Sequence, residues 1–253
     1  MTNSNSFTSH FVELRSRLLK SIIFILVIFI ISYIFAEQIY NFLVEPYANA
    51  VKDDDNSRRL IFTALHETFI AYLKVAFFAA IFFGSPVLLI QIYKFIAPGL
   101  YKNEKKALLP YLIFTPILFL FGGLLVYYLI MPLAIKFFLS FESIGTNTSL
   151  PIQLEAKVNE YLSLIMRLIF AFGISFQLPI LLNLLAKIGV VNSNYLKKTR
   201  RYVIVIIFTA AAILTPPDPI TQIGLAIPLL LLYELSILTV KFTEKKDKEV
   251  EDA

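Results

Sequence analysis

Cysteine is absent from all 253 residues, which removes disulfides, thiolate metal sites and cysteine nucleophiles in one step. Histidine is nearly absent: His10 and His66 stand apart and form no ligand cluster, so no metal is expected, and nothing in the sequence asks for a cofactor. Charge is scarce at 16% of residues, against 58% hydrophobic residues and a mean hydropathy of +0.74. A soluble domain of this size does not stay dissolved with that balance. These scarcities define an all-α, polytopic membrane protein with room for one helical bundle, residues 1–253 forming a single domain. Glycine is also sparse, with eight residues, and glycine-interrupted helix pairs of the kind that build transporter ion sites are missing. No GxSxG, no HExxH, no paired intramembrane aspartate and no histidine inside a span is present, so an enzyme is not expected.

What the chain has in quantity is apolar runs. Spans are predicted at 18–36, 70–92, 107–130, 168–186, 202–214 and 220–240, giving a six-transmembrane bundle. The charged stretch 241–253 is read as a disordered cytoplasmic tail. The first span resembles a signal peptide in length, but bulky Ile34 spoils a small-x-small cleavage pattern, and the span is read as retained. Lysine and arginine are distributed 16 to 5 between alternate sides, counted from the sequence, which places both termini in the cytoplasm. That bias explains the net charge of +5 without nucleic acid as a partner. The segments VKDDDNSRR and FESIGTNTSLPIQLEAKVNE are long and polar, and are expected to form a structured outer cap. Arg167 is placed at the outer surface, its stem along apolar neighbours, which puts Gln177 near mid-bilayer.

Span five is short. Tyr202–Leu214 is 13 residues, about 20 Å of helix against a hydrocarbon core of roughly 30 Å, so local bilayer thinning beside it is expected. Pro216 and Pro217 in TPPDP then stop the helix, since successive prolines lack amide donors, and spans five and six form an outward hairpin. Pro86, Pro116, Pro179 and Pro228 interrupt other spans. They read as kinks accommodated by neighbours, or as the cause of a bent, concave scaffold.

Polar groups inside spans are the usual markers of function. Gln177, Gln222 and Glu234 stand out. Glu234, in LLLLYELSIL, is equally consistent with a buried hydrogen bond to a neighbouring helix and with a proton-coupled small-solute carrier. At the threshold of span one, HFVELRSRLLK sets Glu13 among Arg15, Arg17 and Lys20, and Glu104 is the single acid in the Tyr93–Lys106 loop. Taken alone, Glu13 is accounted for by an i,i+4 pair with Arg17, and Glu104 by solvation among lysines.

HFVELRSRLLKS, FLVEPY, SPVLLIQIYKFIAPGLYKNEKK, FGISFQLPI, KKTRRYVIV and LTPPDPITQIGLAIPLLLLYE resemble, in order, spacing and span position, the TatC family of twin-arginine translocase subunits. The resemblance covers nearly the whole chain. It implies a receptor for signal peptides bearing paired arginines, which initiates export of folded proteins driven by the proton-motive force. It also implies single-span partners of the TatA and TatB type and several copies in a hetero-oligomeric complex. The location implied is the cell's inner membrane, or an organellar membrane for a plastid or mitochondrial chain.

By resemblance Glu13 and Glu104 contact the two guanidinium groups, a task for carboxylates because they accept fork-to-fork bonds. Arg17, Phe95 and Lys102 lie around them in the implied peptide site. The basic neighbours would repel cations that lack a bidentate fit. Pro46, Phe69, Asp218 and Gln222 match further family positions. Gln177 stands where the family often has glutamate, a position implicated in docking the single-span partners. Here a protonation switch is replaced by an amide. HET before Phe69 replaces a proline found in several relatives.

Overall fold

The computed structural model describes residues 4–52, 59–96, 105–143, 150, 152–215 and 218–251, with side chains described at 12, 15–52, 59–92, 110–143, 150, 152–215 and 218–244. Glu104, Lys102, Pro216 and Pro217 lie outside the described residues, as do the side chains of Glu13 and Phe95.

The helices in order are α1 (Ser4–Ile34), α2 (Ala36–Ala50), α3 (Glu67–Ile96), α4 (Lys105–Leu125), a π-helical turn (Val126–Ile130), α5 (Met131–Leu139), α6 (Val158–Ser175), α7 (Leu178–Lys187), α8 (Ser193–Leu214) and α9 (Pro219–Glu251). Among the described residues, five stretches are long and apolar enough to cross a membrane: 15–34, 67–92, 110–139, 158–187 and 219–244. α8 is not among them, because its first half carries the KKTRR charges and only 202–214 is apolar.

Contacts divide the chain into two compact units, one of residues 1–40 with 72–117 and one of 41–71 with 118–253. In the first, α1 and α3 run antiparallel in steady register. Arg17 bonds Gln91 at 3.1 Å, Gly84 lies against Ile25, and the Phe29 and Phe77 rings meet edge-on. A Cβ at position 84 would run into the Ile25 side chain, so glycine there sets how closely the two helices approach. α1 otherwise exposes its apolar side chains, including Ile23, Ile30 and Ile34, as a lipid-facing helix does.

In the second unit α6 is central. Leu162, Ile165, Leu168 and Phe172 are fully buried against a core that includes Phe119, Val126 and Met131. Gly122 of α4 abuts the Phe172 carbonyl and Gly173 of α6 abuts the Phe119 ring. At the other end, α7, α8 and α9 close around Leu196, Tyr233, Ile237 and Val240. Gly189, with φ of +76°, ends α7. Its amide bonds Ala186 O, and Val190 bonds Leu185 O, the paired bonds of a Schellman turn that needs a left-handed residue.

Three sequence expectations meet different geometry. The third span does not stop near Ile130: the π-turn passes straight into α5, with Pro132 in its first turn where a missing amide is tolerated. The fourth breaks at Phe176–Gln177 and restarts ahead of Pro179. Helix also continues through 241–251, which the sequence reading assigns to a disordered tail. That stretch is rich in lysine and glutamate, both good helix formers, and it extends an existing helix without a new nucleus.

Of the polar segments expected to form an outer cap, 53–58, 144–149 and 151 lie outside the described residues; the residues beside them carry order. Ile61 forms an isolated bridge with Lys157 through bonds to Ala156 O and from Val158 N, each 3.1 Å, Ser143 forms another with Ile152, and Glu142 accepts from Leu154 N at 2.8 Å.

Candidate functional site

The predicted peptide site rests on the start of α1 and the end of α3. Arg17, half-buried, donates to Gln91 Oε1. The two helices run nearly in step, since Phe29 of α1 and Phe77 of α3 meet farther in than the Arg17–Gln91 bond, after a similar length of each helix. Running that register one turn outward from Arg17 brings position 13 level with position 95. Both positions are helical. Positions 13 and 95 therefore share one level on adjacent helices, and Lys102 and Glu104 follow position 95 in sequence, outside the described residues.

The remaining predicted residues fall in the second unit and sort by what they touch. Asp218 is the N-cap of α9. It is buried, its carboxylate accepts from Thr221 N at 2.7 Å and from the Thr221 hydroxyl, and Pro219 follows at N1. This is the helix-start chemistry expected of Asp-Pro, so the TPPDP motif both stops α8 and starts α9. Gln222 donates from Nε2 to Phe208 O at 3.3 Å, tying α9 back to α8. Glu234 forms an ion pair with Arg200 at 2.5 Å, each side chain about half exposed. Gln177 is buried at the α6–α7 break, and its carbonyl accepts from Leu181 N. Phe69 is exposed near the start of α3, and Pro86 is buried within it.

Pro46 has a partner that sequence reading missed. Proline at 46 leaves the Phe42 carbonyl without its i+4 amide. The Tyr127 hydroxyl fills that vacancy at 2.9 Å, with Glu45 Oε2 a second acceptor at 3.1 Å, and the Phe42 and Tyr127 rings stack at 4.3 Å. Tyr161 likewise donates to Leu43 O at 2.9 Å. Two tyrosines thus fasten α2 to the π-turn and to α6. Pro86 repeats the device locally: the carbonyl it orphans, Phe82 O, accepts from Ser85 Oγ at 3.0 Å. The signal available in the sequence was the i−4 carbonyl of each proline, but the identity of a donor 85 residues away is a tertiary fact.

Further polar links hold α7, α8 and α9 together. Asn183 Nδ2 donates to Thr239 Oγ1 at 2.7 Å, and Tyr233 donates to Leu196 O at 2.8 Å. Glu244 accepts from Ser193 N at 2.8 Å and from its hydroxyl at 2.5 Å, placing a carboxylate at the N-terminus of α8. Among the described residues no three histidine, aspartate or glutamate side chains converge as metal ligands.

Long apolar helices joined by interhelical side-chain bonds to freed carbonyls define a multi-span, all-helical membrane protein. Residues 9–228 match the family model for the Sec-independent protein translocase protein, TatC, and the chain belongs to the TatC family. It is 50% identical to the Sec-independent protein translocase protein TatC of Magnetococcus marinus, over 96% of this chain and 87% of that one. The Rickettsia prowazekii relative is 46% identical over 94% of each. A crystal structure described as the twin-arginine translocase receptor TatC superposes with a TM-score of 0.76 at 37% identity, covering 92% of this chain and 98% of that one.

Proposed function

We propose that this chain is the receptor for twin-arginine signal peptides and the core scaffold of a Tat translocase, which initiates export of folded proteins driven by the proton-motive force. Membership of the family supports the role. The observation that carries the site is the α1–α3 register, which sets position 13 level with position 95 at the mouth of the helix pair. An extended dipeptide spans about 7 Å, so its two guanidinium groups reach carboxylates on neighbouring elements. Glu13 and Glu104 take the two groups. Phe95 packs against the peptide, while Arg17, held by Gln91, and Lys102 disfavour cations lacking the bidentate fit.

Six crossings with both termini in the cytoplasm follow from the charge bias, with α8 supplying the short fifth. The scaffold is concave, sits in the inner membrane, works in several copies and recruits TatA- and TatB-like single-span proteins at Gln177. Glu234 forms an ion pair with Arg200, which accounts for its place in the helix without the carrier alternative.

The test is photocrosslinking of a twin-arginine signal peptide to the full-length protein in membranes. Glu13→Gln and Glu104→Gln should each reduce crosslinking at least tenfold, a loss of about 1.4 kcal/mol or more, as expected when one charge-assisted bond worth about 1.5–3 kcal/mol is removed. Replacing the peptide's arginines with lysines should do the same. Undiminished crosslinking in both variants removes the assignment.

A further inference from the structure

A cavity of about 290 Å³ opens between α2, the π-turn and α5, and the peptide-receptor reading makes no use of it. Glu45, Pro46 and Asn49 line it from one side, and Tyr128, Pro132 and Lys136 from the other. Glu45 and Lys136 carry opposite charges and face one space, yet among the described residues no ion pair joins them. α2 is pinned by its two tyrosine bonds, and Tyr127 and Tyr128 of the π-turn both line the cavity, so the two charges reach one space from separately fastened elements. Opposite charges lining one small cavity are both satisfied by a ligand that carries a cation and an anion a few bonds apart. π-turns recur at binding sites for this kind of re-aiming.

The volume lies at the lower edge of the range for small-molecule pockets, roughly 300–1,000 Å³. It suits a headgroup and excludes a whole lipid. The exterior supplies the rest: Leu129, Leu133 and Lys136 follow one another at helical spacing, and both leucines are exposed within a stretch apolar enough to cross the membrane. Acyl chains fit along that stripe, and Lys136 at its end reaches phosphate level.

We propose that this cavity binds the headgroup of an amine-bearing phospholipid, its phosphate at Lys136 and its ammonium at Glu45 beside the Tyr128 ring. The lipid would lock α2 to α5 on the lipid-facing side, much as Tyr127 locks it within.

Native mass spectrometry on the full-length protein in mild detergent tests this with three probes: dioleoyl phosphatidylethanolamine, dioleoyl phosphatidylglycerol and soluble phosphoethanolamine. Phosphatidylethanolamine should be retained at concentrations at least tenfold below phosphatidylglycerol. Glu45→Gln, which keeps an acceptor for Tyr127, and Lys136→Gln should each raise the half-saturating concentration about tenfold, while Lys136→Arg and the distant Lys198→Gln should leave it unchanged. Equal retention of the two lipids, or retention indifferent to both glutamine variants, overturns the site. Competition by phosphoethanolamine at the lipid's own concentration overturns the lipid as occupant. None of these variants touches the α1–α3 mouth, so signal-peptide crosslinking in the same samples reports separately on the receptor reading.

Discussion

Tyr127 has one hydroxyl proton and two acceptors, Phe42 O and Glu45, and the first is open because Pro46 cannot supply the amide of an intact helix. The bond and the proline are therefore coupled. Tyr127→Phe should destabilise the protein by about 1 kcal/mol, the usual net value of a neutral hydrogen bond. In a Pro46→Ala background the new amide can satisfy Phe42, and the cost of Tyr127→Phe should fall by at least half. Thermal unfolding in detergent, run as a double-mutant cycle, measures the coupling. Equal costs in both backgrounds would separate the two residues. The same logic assigns Asp218 a structural task, because a buried aspartate that caps α9 through Thr221 already accounts for its place in the motif.

At the scale of elements, the α4–α6 contact is set by missing side chains. A Cβ at position 122 would stand 2.8 Å from the Phe172 carbonyl oxygen, a backbone atom that cannot swing aside. Gly122→Ala should therefore lower stability by about 1–3 kcal/mol, the range for overpacking in a filled core. In a helix with no such neighbour the same change is expected to stabilise, because alanine is the better helix former. Urea or heat unfolding in detergent gives the sign directly. α8 is governed differently. Its apolar part is too short to span alone, and its ends are fastened by Glu244 at Ser193, Tyr233 at Leu196 and Gln222 at Phe208. An element that lipid cannot hold at full length is held by its neighbours.

For the whole molecule, the count of crossings decides the side on which each terminus lies. Five apolar helices would put the termini on opposite sides. The distribution of lysine and arginine favours the proposed reading of α8 as a sixth. Reporter fusions should place residues 153 and 218 on the outside and residues 190 and 251 in the cytoplasm. An outside reporter at 251 would exclude α8 as a crossing. Introducing lysines at 144–149 should weaken this topology without altering the helices, because the bias acts on the segments between spans.

Much of this was legible in the sequence because hydropathy and charge placement are local sums. Apolar runs must become helices where no water is available to satisfy the backbone, and HxxELRxRL, FIAPGLYxxE and TPPDxxxQ mark the family residue by residue. Asp218 as a helix start and Gly189 as a helix end are likewise readable from short-range chemistry. The π-turn after Leu125, the tyrosines that answer Pro46, the glycine contacts of α4 and α6, and the opposed charges of Glu45 and Lys136 were not. Each depends on which surfaces meet between elements far apart in the chain, or on how a proline is absorbed once neighbours are in place. Sequence decides which groups need partners; only the packed structure decides which partner arrives, because that is a matter of distance between elements and not of order along the chain.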